Sequence, residues 1–143
     1  HEAVMKFCQA RLSPPLLGQI VAEASMDVSG DYMKAVYDEY LDRRNYMISA
    51  LNKIPGVLAP MPMGAFYAMV KLPVDDAEKF CLWCLRDFNW EGETVMMAPG
   101  SGFYTDEGEG RQEVRMAYVL CREDLERSML ILSKALEAYP GRV

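Results

Sequence analysis

Residues 113–120, EVRMAYVL, alternate in character, and one of the alternating positions is Arg115. Successive side chains of a strand point to opposite faces. Val114, Met116 and Tyr118 therefore share one face, and Arg115, Ala117 and Val119 share the other. The small Ala117 leaves room beside the guanidinium. Two readings are open. An arginine on an edge strand can meet a surface carboxylate. Alternatively, its planar fork can hold the carboxylate of a small molecule through two parallel, charge-assisted hydrogen bonds.

Three further groupings could carry chemistry. Cys81-Leu-Trp-Cys84 has the spacing of a metal or redox pair. A zinc site wants two more soft ligands, and the single histidine, His1, is remote in sequence. A redox pair belongs at the start of a helix, where the dipole lowers the thiol pKa. Here both thiols fall on the apolar stripe of a helical segment, so they are expected to pack and to bind no metal. The glycines at 100, 102, 108 and 110 suggest a phosphate cradle, but neither Gly-Lys-Ser spacing nor a Gly-x-Gly-x-x-Gly between strand and helix is present. Asp106, Glu107 and Glu109 would repel phosphate, which favours a mobile surface loop. Asp75-Asp76 reads as a helix cap rather than an acid/base pair.

The elements that must position Arg115 follow from periodicity. Val4, Phe7, Cys8 and Leu12 recur at helical spacing. A second helix follows Ser13-Pro14-Pro15, with Leu16, Leu17, Ile20, Val21 and Ala24 as its stripe. DVSGD breaks the pattern, and Ser29 or Asp31 opens a long helix to about Lys53, whose stripe runs from Met33 and Tyr37 to Met47, Ile48 and Leu51. Short strands are predicted near residues 57–59, over 65–72, in TVMMAP and over 113–120. A helix after Asp76 carries Ala77, Phe80, Cys81, Cys84, Leu85 and Phe88, and a last one carries Leu125, Met129, Leu132, Leu136 and Tyr139. Long helices with a few short strands give an α+β two-layer sandwich, a small sheet of about four strands covered by helices. The boundary is placed at DVSGD, between residues 1–28 and 29–143.

The chain has 143 residues and a formal net charge of −6. The acidic balance leaves no basic stripe for a nucleic acid, since Arg43-Arg44 lies among acids. No apolar run approaches the ~20 residues of a membrane span. Four scattered cysteines and eleven methionines suggest a reduced, cytoplasmic setting. The first residues, HEAVMKFCQARL, read as mid-element sequence, which suggests a piece of something longer.

The ordered set GAFYAMVKLP, VMMAPGSGFY and GEGRQEVRMAYVLCREDLERSMLILSKAL resembles the C-terminal region of fold-type I, class I/II aminotransferases that use pyridoxal phosphate, the aspartate-aminotransferase-like group above all. QARLSPPLLGQIVAEA is similar to the segment that follows the cofactor lysine in that family. The resemblance implies that residues 1–28 are a remnant of the large domain and linker, and 29–143 the small domain. It implies that Arg115, heading Arg115-Met116-Ala117-Tyr118, binds the α-carboxylate of an amino acid. Pro99–Phe103 would be the turn entering the loop before that strand, and Gly64–Tyr67 the strand start near substrate. It further implies a homodimer acting on an amino acid and a 2-oxo acid. The cofactor lysine, the aspartate for the pyridine nitrogen and the phosphate ligands precede this segment in the family. Lys6, Lys34, Lys53, Lys71, Lys79 and Lys134 match none of those contexts, so no cofactor-binding or catalytic residue is expected here. Alternatives are another pyridoxal-phosphate reaction on the same scaffold, such as C–S lysis, and a non-enzymatic domain that binds amino acids or a partner.

The chain alone is accordingly expected not to transaminate. Incubation with pyridoxal phosphate, an amino acid and 2-oxoglutarate checks this, and turnover above the free cofactor's own rate would contradict it.

Overall fold

A computed structural model describes residues 1–10 and 13–143. Leu12, expected on the first helical stripe, lies outside the described residues. The chain divides into two compact units, His1–Tyr37 and Asp38–Val143.

The first unit holds helices α1 (Glu2–Gln9) and α2 (Leu16–Ser25) and the beginning of α3 (Gly30–Leu51). Neither α1 nor α2 has a buried residue. Phe7, Leu17 and Val21 stand out at 81%, 76% and 68% exposure, so the predicted stripes exist but cover nothing in this unit. Ser13 does not cap α2. The helix starts one residue after Pro15: Pro14, preceding a proline, is held out of the α region, and Pro15 is itself extended, with ψ 140°. Ser29 does cap α3, its hydroxyl accepting from the Tyr32 N–H at 3.3 Å.

The second unit contains the sheet. Its strands are β1 (Tyr67–Lys71), β2 (Ala98–Pro99) and β3 (Glu113–Ala117), antiparallel in the order β1-β3-β2. Tyr67 pairs with Ala117, Met69 with Arg115 and Ala98 with Arg115. Three strands form among the described residues, not four. The segment at 57–59 contributes one bridge, Leu58 to Lys71, with two bonds of 2.9 Å. Pro60 and Pro62 follow it, and proline has no N–H with which to continue a ladder. The strand in TVMMAP shrinks to its last two residues, Ala98 and Pro99.

Helices α4 (Ala77–Arg86) and α5 (Arg122–Ala138) and the last turns of α3 cover one face of the sheet. Met47, Ile48 and Leu51 from α3, Phe80 and Cys84 from α4, and Leu125, Leu132 and Leu136 from α5 join Ala68, Val70, Val114 and Met116 in one core. The result is the α+β two-layer sandwich. Leu85, placed on the α4 stripe by its spacing, is 55% exposed, while Phe80, Trp83 and Tyr139 pack their rings 5.0–6.2 Å apart around the inner side of that helix. Asp76 caps α4, accepting from the Glu78 and Lys79 N–H groups at 3.0 and 3.2 Å.

Cys81 and Cys84 lie on the buried side of α4. Burial pushes their thiols up to about 11 and about 12, Glu78 adding to the effect at Cys81 and the Cys81 thiol to that at Cys84. They are packing residues, held as thiols. Among the described residues no group of three or more His, Cys, Asp or Glu side chains is arranged to hold a metal ion. Iodoacetamide at about pH 8 should therefore modify the exposed Cys8 and Cys121 in the folded chain, and Cys81 and Cys84 only after unfolding, because the thiolate is the reactive form. Mass spectrometry before and after addition of urea reads the difference. Four adducts on the folded chain would contradict the packing.

Candidate functional site

The open face of the sheet holds the residues that could meet a ligand. On β3 burial alternates: Val114 and Met116 are buried, and Arg115 and Ala117 are exposed. Beyond the strand end, the buried Tyr118 donates its N–H to the Phe66 carbonyl at 2.9 Å and its hydroxyl to the Ala65 carbonyl at 3.0 Å. These two bonds fix the turn before β1. Ala65 takes a left-handed φ of 60° there, a conformation that a residue with a Cβ adopts only under local constraint.

Arg115 sits on the central strand, not on an edge. Its guanidinium carbon lies 5.2 Å from the Tyr67 ring centre and 4.7 Å from that of Phe103. Tyr67 belongs to β1 and Phe103 to the 3₁₀ turn Ser101–Phe103 after β2, so one ring arrives from each side of β3. Tyr67 pairs with Ala117, two residues along from Arg115, the diagonal neighbour position from which an aromatic side chain can reach. Among the described residues no carboxylate lies within ion-pair distance of Arg115. Arg43, Arg111, Arg122 and Arg127 all have such partners, at 2.6–3.4 Å. Of the two readings open for this arginine, an edge-strand position beside a surface carboxylate is not what forms among the described residues. An exposed arginine, held by rings and with its charge uncompensated, can bind an anion.

The loop from 100 to 112 carries Phe103 into place. The Gly100 N–H donates to the Glu113 carbonyl at 2.7 Å, and a Cβ on Gly100 would meet that oxygen at 2.7 Å. Tyr104 folds back over Gly110 and donates its hydroxyl to the Glu113 carboxylate, which keeps the phenol protonated further into the alkaline range. The loop is thus tied at both ends to the start of β3. A cavity of about 560 Å³ between this loop and α4 is lined by Glu78, Asp106, Glu107 and Glu109, with Arg111 bound to Asp76 at 3.4 Å. Its acidic wall does not suit phosphate.

Lys6, Lys34, Lys53, Lys71 and Lys79 are exposed, and the half-buried Lys134 is bound to Glu137 at 2.8 Å. Arg115 is therefore the one predicted site residue that the structure sets in a distinct environment. Sequence reading missed Tyr67 and Phe103 as its neighbours. The two-residue period of a strand over 65–72 sets Tyr67 on one face with Met69 and Lys71, but only strand order brings Phe103 alongside.

Gly110→Ala should lower the melting temperature, because its φ is +67° and the added Cβ would come within 2.6 Å of the Tyr104 ring. About 1–3 kcal/mol is expected. Gly102→Ala, with nothing within 4 Å of its Cβ position, should be near neutral. Denaturant melts of the two variants compare them directly, and equal melts would show that the loop is not anchored there.

No family model matches the chain. It is 28% identical over 110 residues to an aspartate aminotransferase of Musicola paradisiaca, covering 75% of this chain and 26% of that protein. It is 35% identical over 101 residues to an aspartate aminotransferase of Pyrococcus horikoshii, covering 69% and 24%. A match of 29% over 93 residues, covering 20% of its length, bears a different name, asparagine–tRNA ligase of Lactobacillus helveticus. Among solved structures, an alanine aminotransferase of Pyrococcus furiosus superposes with a TM-score of 0.76 at 30% identity, over 96% of this chain and 34% of that one. The chain thus spans about a quarter of the length of the curated aminotransferases it matches. In sequence and fold together, the chain belongs with the fold-type I, aspartate-aminotransferase-like aminotransferases.

Proposed function

We propose that this chain is part of an enzyme that moves an amino group between an amino acid and a 2-oxo acid by means of pyridoxal phosphate, and that Arg115 binds the substrate's α-carboxylate. One observation supports the arginine's role above others: an exposed guanidinium on the central strand, flanked by two rings, with no carboxylate of its own chain within ion-pair distance among the described residues. A planar fork in that state offers two charge-assisted hydrogen bonds to a planar anion. Fixing the carboxylate fixes the orientation of the substrate's Cα–H bond for proton removal, a contribution of position rather than of acid or base chemistry.

The cofactor supplies the electron sink when bound, and the lysine that works with it belongs outside this chain. Residues 29–143 act as the small domain and residues 1–28 as a remnant of the large one. The exposed apolar residues of α1 and α2 are consistent with a surface that further protein covers. A cytoplasmic homodimer is the assembly we envisage. Among the described residues no helix is long and apolar enough to cross a membrane.

The test is made in the full-length protein. Lysine keeps the charge of Arg115 but loses the fork. Arg115→Lys should lower kcat/KM by about 10²-fold, about 2.7 kcal/mol of transition-state stabilisation, with little change in melting temperature. Arg111→Lys, which alters only an exposed ion pair with Asp76, should leave both values near those of the parent. If Arg115→Lys retains activity but melts early, the arginine is a structural residue.

A further inference from the structure

Resting on the reading of Arg115 as a carboxylate-binding residue, we propose that Tyr67 and Phe103 are positioning residues. They hold the Arg115 guanidinium in one plane, so that it presents its N–H edge to substrate, and they make the site selective for planar carboxylates over tetrahedral anions.

The guanidinium carries five N–H donors, all directed outward within its own plane. An aromatic face attracts the cation without accepting those donors in the way an oxygen does. Tyr67 and Phe103 approach within 5.2 and 4.7 Å, yet among the described residues no acceptor lies within hydrogen-bond distance of the Arg115 side chain. Orientation is thus constrained while the donors stay available. Arg122 and Arg43 also lie over rings, Tyr46 at 3.8 Å and Tyr40 at 5.5 Å, but their N–H groups are engaged, those of Arg122 by Asp42 and Glu126 and those of Arg43 by Glu39 and the Val119 carbonyl. Arg127 is fixed by Glu91 and Glu93 through the same N–H groups that a ligand would need.

Neither ring is needed to close the core. Tyr67 is 39% exposed and Phe103 52% exposed. Two large aromatic side chains left part-exposed, one from each neighbouring strand end, meet over a single cation. The loop tied down at Gly100 and Gly110 brings the second of them there. An arginine ordered before the ligand arrives loses less conformational freedom on binding. Selectivity follows from shape. A carboxylate keeps both oxygens in the plane of the fork. A sulfonate must direct a third oxygen out of that plane, toward one of the rings.

Titration calorimetry on the full-length protein tests this, with hexanoate and pentanesulfonate as probes of matched chain length. Phe103→Leu and Tyr67→Leu should each weaken hexanoate binding about tenfold. Pentanesulfonate should weaken much less, so that the preference for carboxylate shrinks. Tyr67→Phe and Phe103→Tyr keep a ring and should behave like the parent. In the amino-acid reaction the leucine variants should raise KM more than they lower kcat. Circular dichroism melts confirm that all four variants fold. If the leucine variants bind hexanoate as the parent does while Arg115→Lys loses it, the positioning role is wrong and the arginine's role stands. If Arg115→Lys also binds normally, or hexanoate does not bind the parent, the carboxylate site itself is wrong and this proposal falls with it.

Discussion

The strict two-residue alternation of β3 is the constraint on which the rest of the second unit depends. The strand lies between β1 and β2, so its backbone is committed on both sides. Val114 and Met116, with Tyr118 beyond the strand end, must enter the core beneath α3, α4 and α5. A slip of one residue would turn Arg115 inward and Val114 out, and burying an unpaired guanidinium costs far more than a core of this size could offset. Packing on one face therefore fixes the position of a charge on the other.

The buried face also organises the turns that flank the site. Tyr118 is fully buried, and its two hydrogen bonds to residues 65 and 66 join the end of β3 to the entrance of β1. A core side chain thus sets where Tyr67 begins its strand. On the other side, Gly100 lets the chain pass against Glu113 with no room for a side chain, and Gly110 accepts the Tyr104 ring at the other end of the loop. Of the four loop glycines, Gly100 and Gly110 act as close-approach points for backbone and ring, and Gly102 and Gly108 face open space.

The role we propose for Arg115 does not need the cofactor within this unit. The unit contributes one oriented cation with no ion-pair partner among the described residues, while its helices complete a core without help from that face. The role proposed for Arg115 is compatible with more than one reaction on the scaffold, because many amino-acid substrates share a carboxylate.

Much of this was legible in the sequence. The helical stripes of α4 and α5, the cap at Asp76 and the two faces of β3 all follow from local periodicity, which depends on residue type and spacing alone. The buried thiols at 81 and 84 could be placed in the core because they share a stripe with Phe80. Other features were not legible, for physical reasons. The segment at 57–59 carries strand-forming residues, but a ladder needs donors from the next residues, and Pro60 and Pro62 supply none. Leu85 fits the helical period, yet the aromatic cluster of Phe80, Trp83 and Tyr139 occupies the inner side of α4 and leaves Leu85 outside. Above all, the sequence by itself determined that Arg115 would share a strand face with Ala117. Only the tertiary structure decided that this strand is central and that Tyr67 and Phe103 converge on the guanidinium, because strand order and loop closure arise from contacts between residues far apart in the chain.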